Sequence, residues 1–108
     1  MTVIALTEQD FDNFVADSAG TVVLDFWSPA CGTCLLMAPM LDRLSEEETP
    51  RARFAKIDAM ANPELARRFG VSSLPTILFI EAGAVSKRLI GMTSRSKLVA
   101  ALAEMCGA

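Results

Sequence analysis

Histidine is absent from the 108-residue sequence, and tryptophan occurs once, at Trp27. Without an imidazole ring, the chain cannot supply a Ser-His or Cys-His hydrolase site from its own residues. Zinc sites that use histidine ligands are excluded for the same reason. Any proton transfer at a site in this chain must therefore use a carboxylate, a lysine or a thiol.

Positive charge is not in excess along the sequence. Ten lysine and arginine residues stand against 13 aspartate and glutamate residues, which gives a formal net charge of −3. The charged residues are scattered and form no block. Nucleic acids and anionic membranes attract basic patches, so we expect neither as a ligand and expect a protein partner instead.

Long apolar runs are also missing from the beginning of the chain. Residues 1–8 contain four consecutive apolar residues and no basic segment, a pattern that predicts neither a secretory signal nor a membrane span. The cytoplasm is then the expected location. The length, the 52% content of apolar residues and the lack of a repeat or linker predict a single domain over residues 1–108.

Cysteine is scarce, with three residues in the chain, but two of them form a close pair. Three cysteines in a cytosolic protein argue against a disulfide scaffold and indicate redox chemistry or metal binding. Cys31 and Cys34 follow an apolar run at residues 22–27 and precede a helix-like pattern. Unpaired N–H groups and the dipole at a helix N-terminus favour the thiolate of Cys31. The alternatives are two buried structural thiols, or part of a zinc site that Cys106 alone would not complete.

Alternating strand and helix patterns organise the rest of the chain. Thr7 is predicted to cap the first helix, Pro39 to kink the second, and Pro63 to occupy the first turn of the third. The pattern predicts strands at residues 3–6, 22–27, 53–58, 76–81 and 85–90, and helices from Thr7 to Gly20, from the cysteine pair to 45–50, from Asn62 to Gly70 and from Thr93 to Met105. The order, β-α-β-α-β-α-β-β-α, predicts an α/β domain with a central mixed β-sheet flanked by helices.

A carboxylate lies inside the most apolar predicted strand, at Asp25. An ionised carboxylate without a partner is costly to bury, so we expect Asp25 to have a raised pKa or a partner. This placement makes Asp25 a candidate catalytic residue. The alternative is a buried carboxyl group whose hydrogen bonds are satisfied and which only shapes the core.

The methionines and the third cysteine have simpler interpretations. The spaced methionines Met37, Met40, Met60 and Met105 are expected to fill the core. Cys106 lies near the C-terminus and is interpreted as an incidental thiol. A role in dimerisation or oxidation sensing is the alternative.

Short motifs along nearly the whole chain resemble those of the thioredoxin family. They are Val23-Leu24-Asp25-Phe26-Trp27, Cys31-Gly32-x-Cys34, Ala38-Pro39, Lys56-Ile57-Asp58, Asn62-Pro63-Glu64-Leu65-Ala66, Phe69-Gly70-Val71, Leu74-Pro75-Thr76 and Gly91. The resemblance implies the thioredoxin-like fold and a thiol-disulfide oxidoreductase that reduces protein disulfides. Cys31 would attack the target disulfide, and Cys34 would resolve the mixed disulfide.

The resemblance also implies what the protein works with. The redox-active disulfide Cys31–Cys34 would carry the electrons with no bound cofactor, and the sequence contains no Gly-rich nucleotide-binding pattern. The expected partners are an electron donor like thioredoxin reductase and target proteins that contain disulfides. We expect the chain to be a monomer.

Individual site residues follow from the same resemblance. Asp25 would act through water as acid and base for Cys34, and Lys56 would lie near Asp25 and moderate its pKa; an ordinary solvated strand lysine is the alternative. Pro75 would follow a cis peptide bond beside the cysteines, and Gly91 would line the groove in which a substrate backbone docks. The residues expected to contact substrate are Trp27, Ala30, Gly32, Thr33, Leu74, Pro75, Gly91 and Met92.

Three residues around the cysteines depart from the family pattern. Ala30 replaces the usual tryptophan, Thr33 the usual proline, and Leu35 the usual lysine. Leu35 removes a cation that would stabilise a thiolate, whereas Thr33 adds a hydroxyl and an N–H group, so the effects on the pKa of Cys31 oppose each other. Together with Met92, these changes predict an apolar docking surface with little charge and a restricted set of partners. The alternative functions are a disulfide isomerase or oxidant, and a non-catalytic interaction module.

Overall fold

The computed structural model describes residues 3–48 and 51–106, and within them strands and helices follow one another in the predicted order. The strands are β1 (Val3–Ala5), β2 (Thr21–Trp27), β3 (Ala52–Asp58), β4 (Thr76–Glu81) and β5 (Ala84–Ile90), and the helices are α1 (Phe11–Asp17), α2 (Gly32–Glu48), α3 (Pro63–Arg68) and α4 (Arg95–Cys106). None of these described helices is both long and apolar enough to cross a membrane.

The five strands form one sheet in the order β1-β3-β2-β4-β5. β3 is parallel to β1 and β2, whereas β4 is antiparallel to β2 and β5, so the predicted mixed sheet is confirmed. β2 lies in the centre, and every one of its residues except the terminal Trp27 is buried. A strand covered on both faces needs apolar residues at consecutive positions, which explains the apolar run around Asp25.

Helices cover both faces of the sheet and create two clusters of buried side chains. On one face, Val23 of β2 packs in a cluster with residues of α2 and α4. On the other face, Val22 and Leu24 pack in a cluster with residues of α1 and α3. Because alternate residues of a strand point to the same face, Asp25 shares its face with Val23. The carboxyl group of Asp25 therefore lies on the side of the sheet that α2 and α4 cover.

Helix α2 buries one side and exposes the other. Its buried residues, which recur at helical spacing, are Cys34, Met37, Leu41, Leu44 and Ser45. Leu35 and Leu36 lie on the opposite side and are exposed. Pro39 lies within the helix, which continues past it to Glu48; the kink at Pro39 stays a prediction.

The predicted start of the first helix is wrong. α1 begins at Phe11, and Asp10, not Thr7, occupies the position before it. A separate turn precedes the helix, because the N–H of Thr7 donates to Oδ1 of Asp10 at 2.6 Å and the carbonyl of Thr7 accepts from the N–H of Asp10 at 3.2 Å. The polar residues 8–10 belong to this turn, and Thr7 caps the turn instead of the helix.

The last helix also begins later than predicted, at Arg95 instead of Thr93. Ser94 is the capping residue, since its Oγ accepts from the N–H of Lys97 at 3.2 Å and its carbonyl accepts from the N–H of Leu98 at 3.1 Å. A serine hydroxyl in this position satisfies one of the four N–H groups that a helix start leaves without a partner.

The methionine prediction is only partly confirmed. Met37 is buried in the α2 and α4 cluster, and Met40 and Met105 pack against it. Met60 is 74% exposed, so the prediction that it fills the core is wrong. Met60 follows β3 in a turn capped by Oδ1 of Asp58, which accepts from the N–H of Met60 at 3.0 Å, and none of the described helices or strands covers this side chain. The side chain of Cys106 lies outside the described residues.

A tight turn connects β4 to β5 and determines where β5 ends. Ala82 and Gly83 have φ values of +52° and +81°, and the ladder closes at Glu81 and Ala84. Two central residues with positive φ are typical of the type I′ turn, whose twist matches that of paired strands. The predicted hairpin is confirmed, and the hairpin returns the chain so that β5 ends beside the beginning of β4.

Candidate active site

Four chain segments meet at one end of the sheet. β2 and β3 are parallel, so the loops that follow Trp27 and Asp58 leave at the same end. β4 begins at this end because it is antiparallel to β2, and β5 finishes here because it is antiparallel to β4. The topology therefore brings the cysteine loop, the Leu74-Pro75 segment and the Gly91-Met92 segment to one edge of the sheet.

Cys31 and Cys34 form a disulfide bond with their Cα atoms 5.3 Å apart. Cys31 is half-buried and precedes α2, whereas Cys34 lies in the first turn of α2 and is only 3% exposed. The two sulfurs of one disulfide thus have different access to solvent. A molecule approaching from outside meets Cys31 first.

The backbone around Cys31 has the geometry of a helix cap. The carbonyl of Cys31 accepts the first helical hydrogen bond from the N–H of Leu35 at 3.2 Å. Its Sγ accepts from the N–H of Cys34 at 3.2 Å, where a capping serine or aspartate would place an oxygen. Oγ1 of Thr33 lies 3.4 Å from the same sulfur. The sulfur therefore lies where an N–H group, a hydroxyl and the helix dipole all favour negative charge.

Ser28 shapes the cysteine loop, although it is not among the site residues predicted from the sequence. It is buried, its Oγ accepts from the N–H of Ala30 at 3.0 Å, and its carbonyl accepts from the N–H of Cys31 at 3.0 Å. These bonds turn the chain from β2 into α2. Ser28-Pro29 after a strand is a turn signal that could have identified this role, because serine hydroxyls bond to nearby backbone groups.

Asp25 has the perturbed carboxyl group that the sequence predicts. It is 8% exposed, and burial raises its pKa from 3.8 to about 7, although the positive charge of Lys56 acts in the opposite direction. Its Oδ1 is buried and has no hydrogen-bond partner among the described residues. Asp25 lies on the sheet face that α2 and α4 cover, and the first buried residue of α2 is Cys34. The acid and base role of Asp25 towards Cys34 stays a prediction.

Lys56 lies opposite Asp25 in the register of β2 and β3. The register places the two residues side by side, and the positive charge of Lys56 lowers the pKa of Asp25. The ammonium group lies 5.2 Å from the centroid of the Trp27 ring, within the range of a cation–π interaction. Lys56 is half-buried, and it lies beside both the Trp27 ring and Asp25. These contacts argue against the alternative of an ordinary solvated lysine.

The Leu74–Pro75 peptide bond is cis, as predicted. The carbonyl of Pro75 accepts from the N–H of Gly91 at 2.8 Å, so the structure brings Pro75 and Gly91 together. Gly91 has φ of +86°, a backbone conformation that residues other than glycine rarely adopt. Met92 follows on the exposed surface, and Leu74 is half-buried.

The remaining predicted contact residues surround the cysteines. Ala30, Gly32 and Thr33 are exposed, and Trp27 is half-buried. Among the described residues, no group of three or more histidine, cysteine, aspartate or glutamate side chains could hold a metal ion. The site is therefore built from a dithiol pair, one buried carboxyl, one lysine and uncharged neighbours.

Comparison of the sequence with known proteins finds relatives in one protein family. The thioredoxin family model matches residues 2–104. The thioredoxin of Bacillus subtilis (strain 168) is 36% identical over 98 residues, which cover 91% of this chain and 92% of that protein. The thioredoxin of Chlorobaculum thiosulfatiphilum is 30% identical over 101 residues, 94% of each chain.

A longer relative contains the same kind of domain. The bifunctional thioredoxin reductase/thioredoxin of Mycobacterium leprae (strain TN) is 34% identical over 102 residues. The match covers 94% of this chain but only 22% of that protein. The similarity therefore concerns one part of the longer protein.

Proposed function

Since the chain belongs to the thioredoxin family and is a thiol-disulfide oxidoreductase, we propose that it reduces protein disulfides through Cys31 and Cys34. The Cys31 thiolate attacks one sulfur of the target disulfide, forms a mixed disulfide and releases the other target sulfur as a thiolate. The Cys34 thiolate then attacks Sγ of Cys31 and releases the second target thiolate. Two electrons pass to the target, two protons neutralise its thiolates, and the Cys31–Cys34 disulfide remains.

The different surroundings of the two sulfurs support this order of events. Cys31 is partly accessible, and its sulfur accepts from the N–H of Cys34 and lies beside the hydroxyl of Thr33. These groups stabilise a thiolate in the reduced protein, and the thiolate is the reactive species in disulfide exchange. Cys34 is buried and is therefore suited to an attack inside the protein.

Asp25 is the proposed acid and base for Cys34. A thiol must lose its proton before it attacks the mixed disulfide, and a base works best when its pKa lies near the working pH. The pKa of Asp25, about 7 because of burial, satisfies this condition. Its carboxyl lies on the face that α2 covers, and a water molecule would relay the proton between Oδ1 and the Cys34 sulfur. Lys56 prevents the pKa from rising further.

Target proteins are proposed to dock along the cis-proline segment. Pro75 has no N–H group, and the carbonyl of Pro75 is bonded to the N–H of Gly91. The backbone on either side of Pro75 can pair with an extended target segment, as in the addition of a strand. Trp27, Ala30, Gly32 and Thr33 would contact the target on the cysteine side, and Leu74, Gly91 and Met92 on the opposite side.

The oxidised protein must be returned to the dithiol form by an external donor. We propose a dithiol protein like thioredoxin reductase for this step, with no cofactor bound to the chain itself. We propose that the protein transfers electrons from such a donor to disulfide-containing targets. We propose further that it does so in the cytoplasm and as a monomer.

The reduction potential of the Cys31–Cys34 pair tests the direction of the reaction. Trp27 is the sole tryptophan and lies four positions before Cys31, so its fluorescence can report the redox state in glutathione or dithiothreitol buffers. A value of about −270 mV supports the reductase, whereas about −180 to −120 mV would indicate an isomerase or oxidant. Failure to form the disulfide in any buffer would contradict the dithiol chemistry and leave the interaction module.

A further inference from the structure

Large apolar side chains are exposed mainly at the end of the sheet that carries the dithiol. Among the described residues, the exposed large apolar side chains are Ile4, Leu35, Leu36, Met60, Val85, Ile90 and Met92. Five of these seven lie on the cysteine helix or on the segments that follow β3 and end β5, whereas Ile4 and Val85 lie elsewhere in the sheet. Apolar side chains grouped at one end of the sheet make that end a candidate interaction surface.

The chain segments at the same end of the sheet contain few charged residues. The chain contains 23 charged residues in total, 10 basic and 13 acidic, yet residues 28–41, 59–63, 69–80 and 89–94 contain none. Two charged residues of β3 near this end make local contacts: Lys56 lies over the Trp27 ring, and Oδ1 of Asp58 accepts from the N–H groups of Met60 and Ala61. Within the part of the chain that the structure describes, the segments at this end of the sheet therefore bring no charged side chain of their own to the surface beside Cys31.

Leu35 and Leu36 are the part of this surface nearest to the cysteines. Residues four apart are neighbours on a helix surface, so Leu35 lies one turn from Cys31 and Leu36 one turn from Gly32. Both point away from the buried side of α2, and they are 51% and 70% exposed. We call these two side chains the leucine pair.

We propose that the leucine pair determines which targets this protein accepts, and that it selects disulfides flanked by uncharged, apolar side chains. This inference rests on the proposed function, because any target sulfur must reach Cys31 and thereby bring its flanking residues against the same turn of α2. The surface of the leucine pair is thus continuous with the surface at which exchange occurs.

The selectivity has a simple physical basis. An apolar flank that covers the leucine pair removes apolar surface from water and is stabilised by the hydrophobic effect. A carboxylate or ammonium group in the same place loses part of its hydration and gains no opposite charge in return. Because no charge pair forms, association should also depend little on salt.

The test uses the reduced full chain and three synthetic disulfide peptides. The peptides share one backbone and differ only in the residues beside the disulfide, which are leucine and alanine, glutamate, or lysine. Trp27 fluorescence follows the single oxidation of the protein, so no reductase is needed. Leu36→Lys and Leu36→Glu change an exposed helix position, and Val85→Lys and Val85→Glu are matched controls at the far end of β5. Circular dichroism verifies that each variant is folded.

The wild type should react about tenfold faster with the apolar peptide than with either charged peptide, at rates that change less than about twofold between low and high salt. Leu36→Lys should favour the glutamate peptide and Leu36→Glu the lysine peptide, each by about tenfold, and only these pairs should become sensitive to salt. The Val85 variants should retain the wild-type order.

Two results would overturn the inference. Equal rates for all three peptides in the wild type would exclude selection by flanking charge, and unchanged preferences in both Leu36 variants would exclude the leucine pair. A small aromatic disulfide, dithiobis(nitrobenzoate), separates this failure from failure of the proposed function. If the protein reduces the small disulfide but does not discriminate among the peptides, only the specificity proposal is wrong. If it reduces no disulfide at all, the proposed function is wrong too.

Discussion

Replacement of the buried carboxyl in Asp25→Asn should remove a pH dependence of the folding stability. The pKa of Asp25 is about 7 in the folded protein and 3.8 where the group is freely hydrated. Between these values the folded chain holds a proton that the unfolded chain has released. The free energy of unfolding therefore falls as the pH rises from about 4 to about 7. Above that range the stabilisation that comes from the proton on Asp25 is lost.

The expected size follows from the same two pKa values. A pKa difference of one unit corresponds to about 1.36 kcal/mol. Between pH 5 and pH 8 the free energy of unfolding falls over about two pH units, from pH 5 to the folded pKa of about 7, and then levels off. Asp25 should therefore lower the free energy of unfolding by about 2.5 kcal/mol between pH 5 and pH 8. The asparagine of the variant does not titrate, and the cost of burying its amide is the same at both pH values.

Urea unfolding of the oxidised protein, followed by Trp27 fluorescence, measures this contribution. The stability difference between Asp25→Asn and wild type should shift in favour of the variant by about 2.5 kcal/mol from pH 5 to pH 8. The comparison of differences cancels every other titrating group that both proteins share. Parallel pH profiles, with a constant difference between the two proteins, would refute the placement of a protonated carboxyl at Asp25.

The other predictions concern residues around the dithiol. Thr33→Val should lower the reduction potential by about 10–20 mV, because about 30 mV corresponds to 1.4 kcal/mol and one weak contact to the Cys31 thiolate is lost; an unchanged or higher potential in glutathione buffer would contradict this role. Lys56→Met should raise the pKa of Asp25 above about 7, since Lys56 lowers it in the wild type, and the midpoint of the stability profile should move to higher pH. If the midpoint of the stability profile stays in place or falls, Lys56 does not lower the pKa of Asp25 and the prediction is wrong. The same variant should alter the emission of Trp27, whose ring Lys56 contacts.

Much of the fold could be predicted from the sequence because local patterns and tertiary packing agree. The strand at residues 76–81 is found at the predicted positions, and the positive φ values of Ala82 and Gly83 explain why Ala-Gly at this point forms a hairpin. The continuous apolar character of β2 is typical of a strand covered on both faces, and the strand pairs with β3 on one side and β4 on the other.

Helix starts were harder to predict because several polar residues compete to cap them. Thr7 and Asp10 are hydrogen-bonded to each other in a turn before α1. The spacing of these two residues, which predicted a helix cap, therefore stabilises the turn and not the helix start. Helix α4 begins at Arg95 with Ser94 as its cap, two residues after the predicted start at Thr93. Periodicity alone shows that polar residues precede an amphipathic helix, but not which hydroxyl reaches the free N–H groups.

The site was predictable where chemistry leaves a local signature. A carboxyl in an apolar strand predicted the raised pKa of Asp25, and the cis bond at Pro75 followed from the family resemblance. Ser28-Pro29 predicts a turn after β2, but which N–H group the Ser28 hydroxyl reaches depends on the three-dimensional course of the loop. The exposure of Met60 could not be read from its apolar character, since the sequence does not state which turns the helices leave uncovered.

The most direct test of the central claim is the trapping of a mixed disulfide with Cys34→Ser. Reduced Cys34→Ser is mixed with an oxidised disulfide protein, and covalent adducts are separated without reducing agent and mapped by mass spectrometry. We expect an adduct through Cys31, no adduct with Cys31→Ser, and release of the adduct by added dithiothreitol. Attachment through any other residue, or no adduct despite reduction of the same target by the wild type, would contradict the assignment of Cys31 as the attacking and Cys34 as the resolving cysteine.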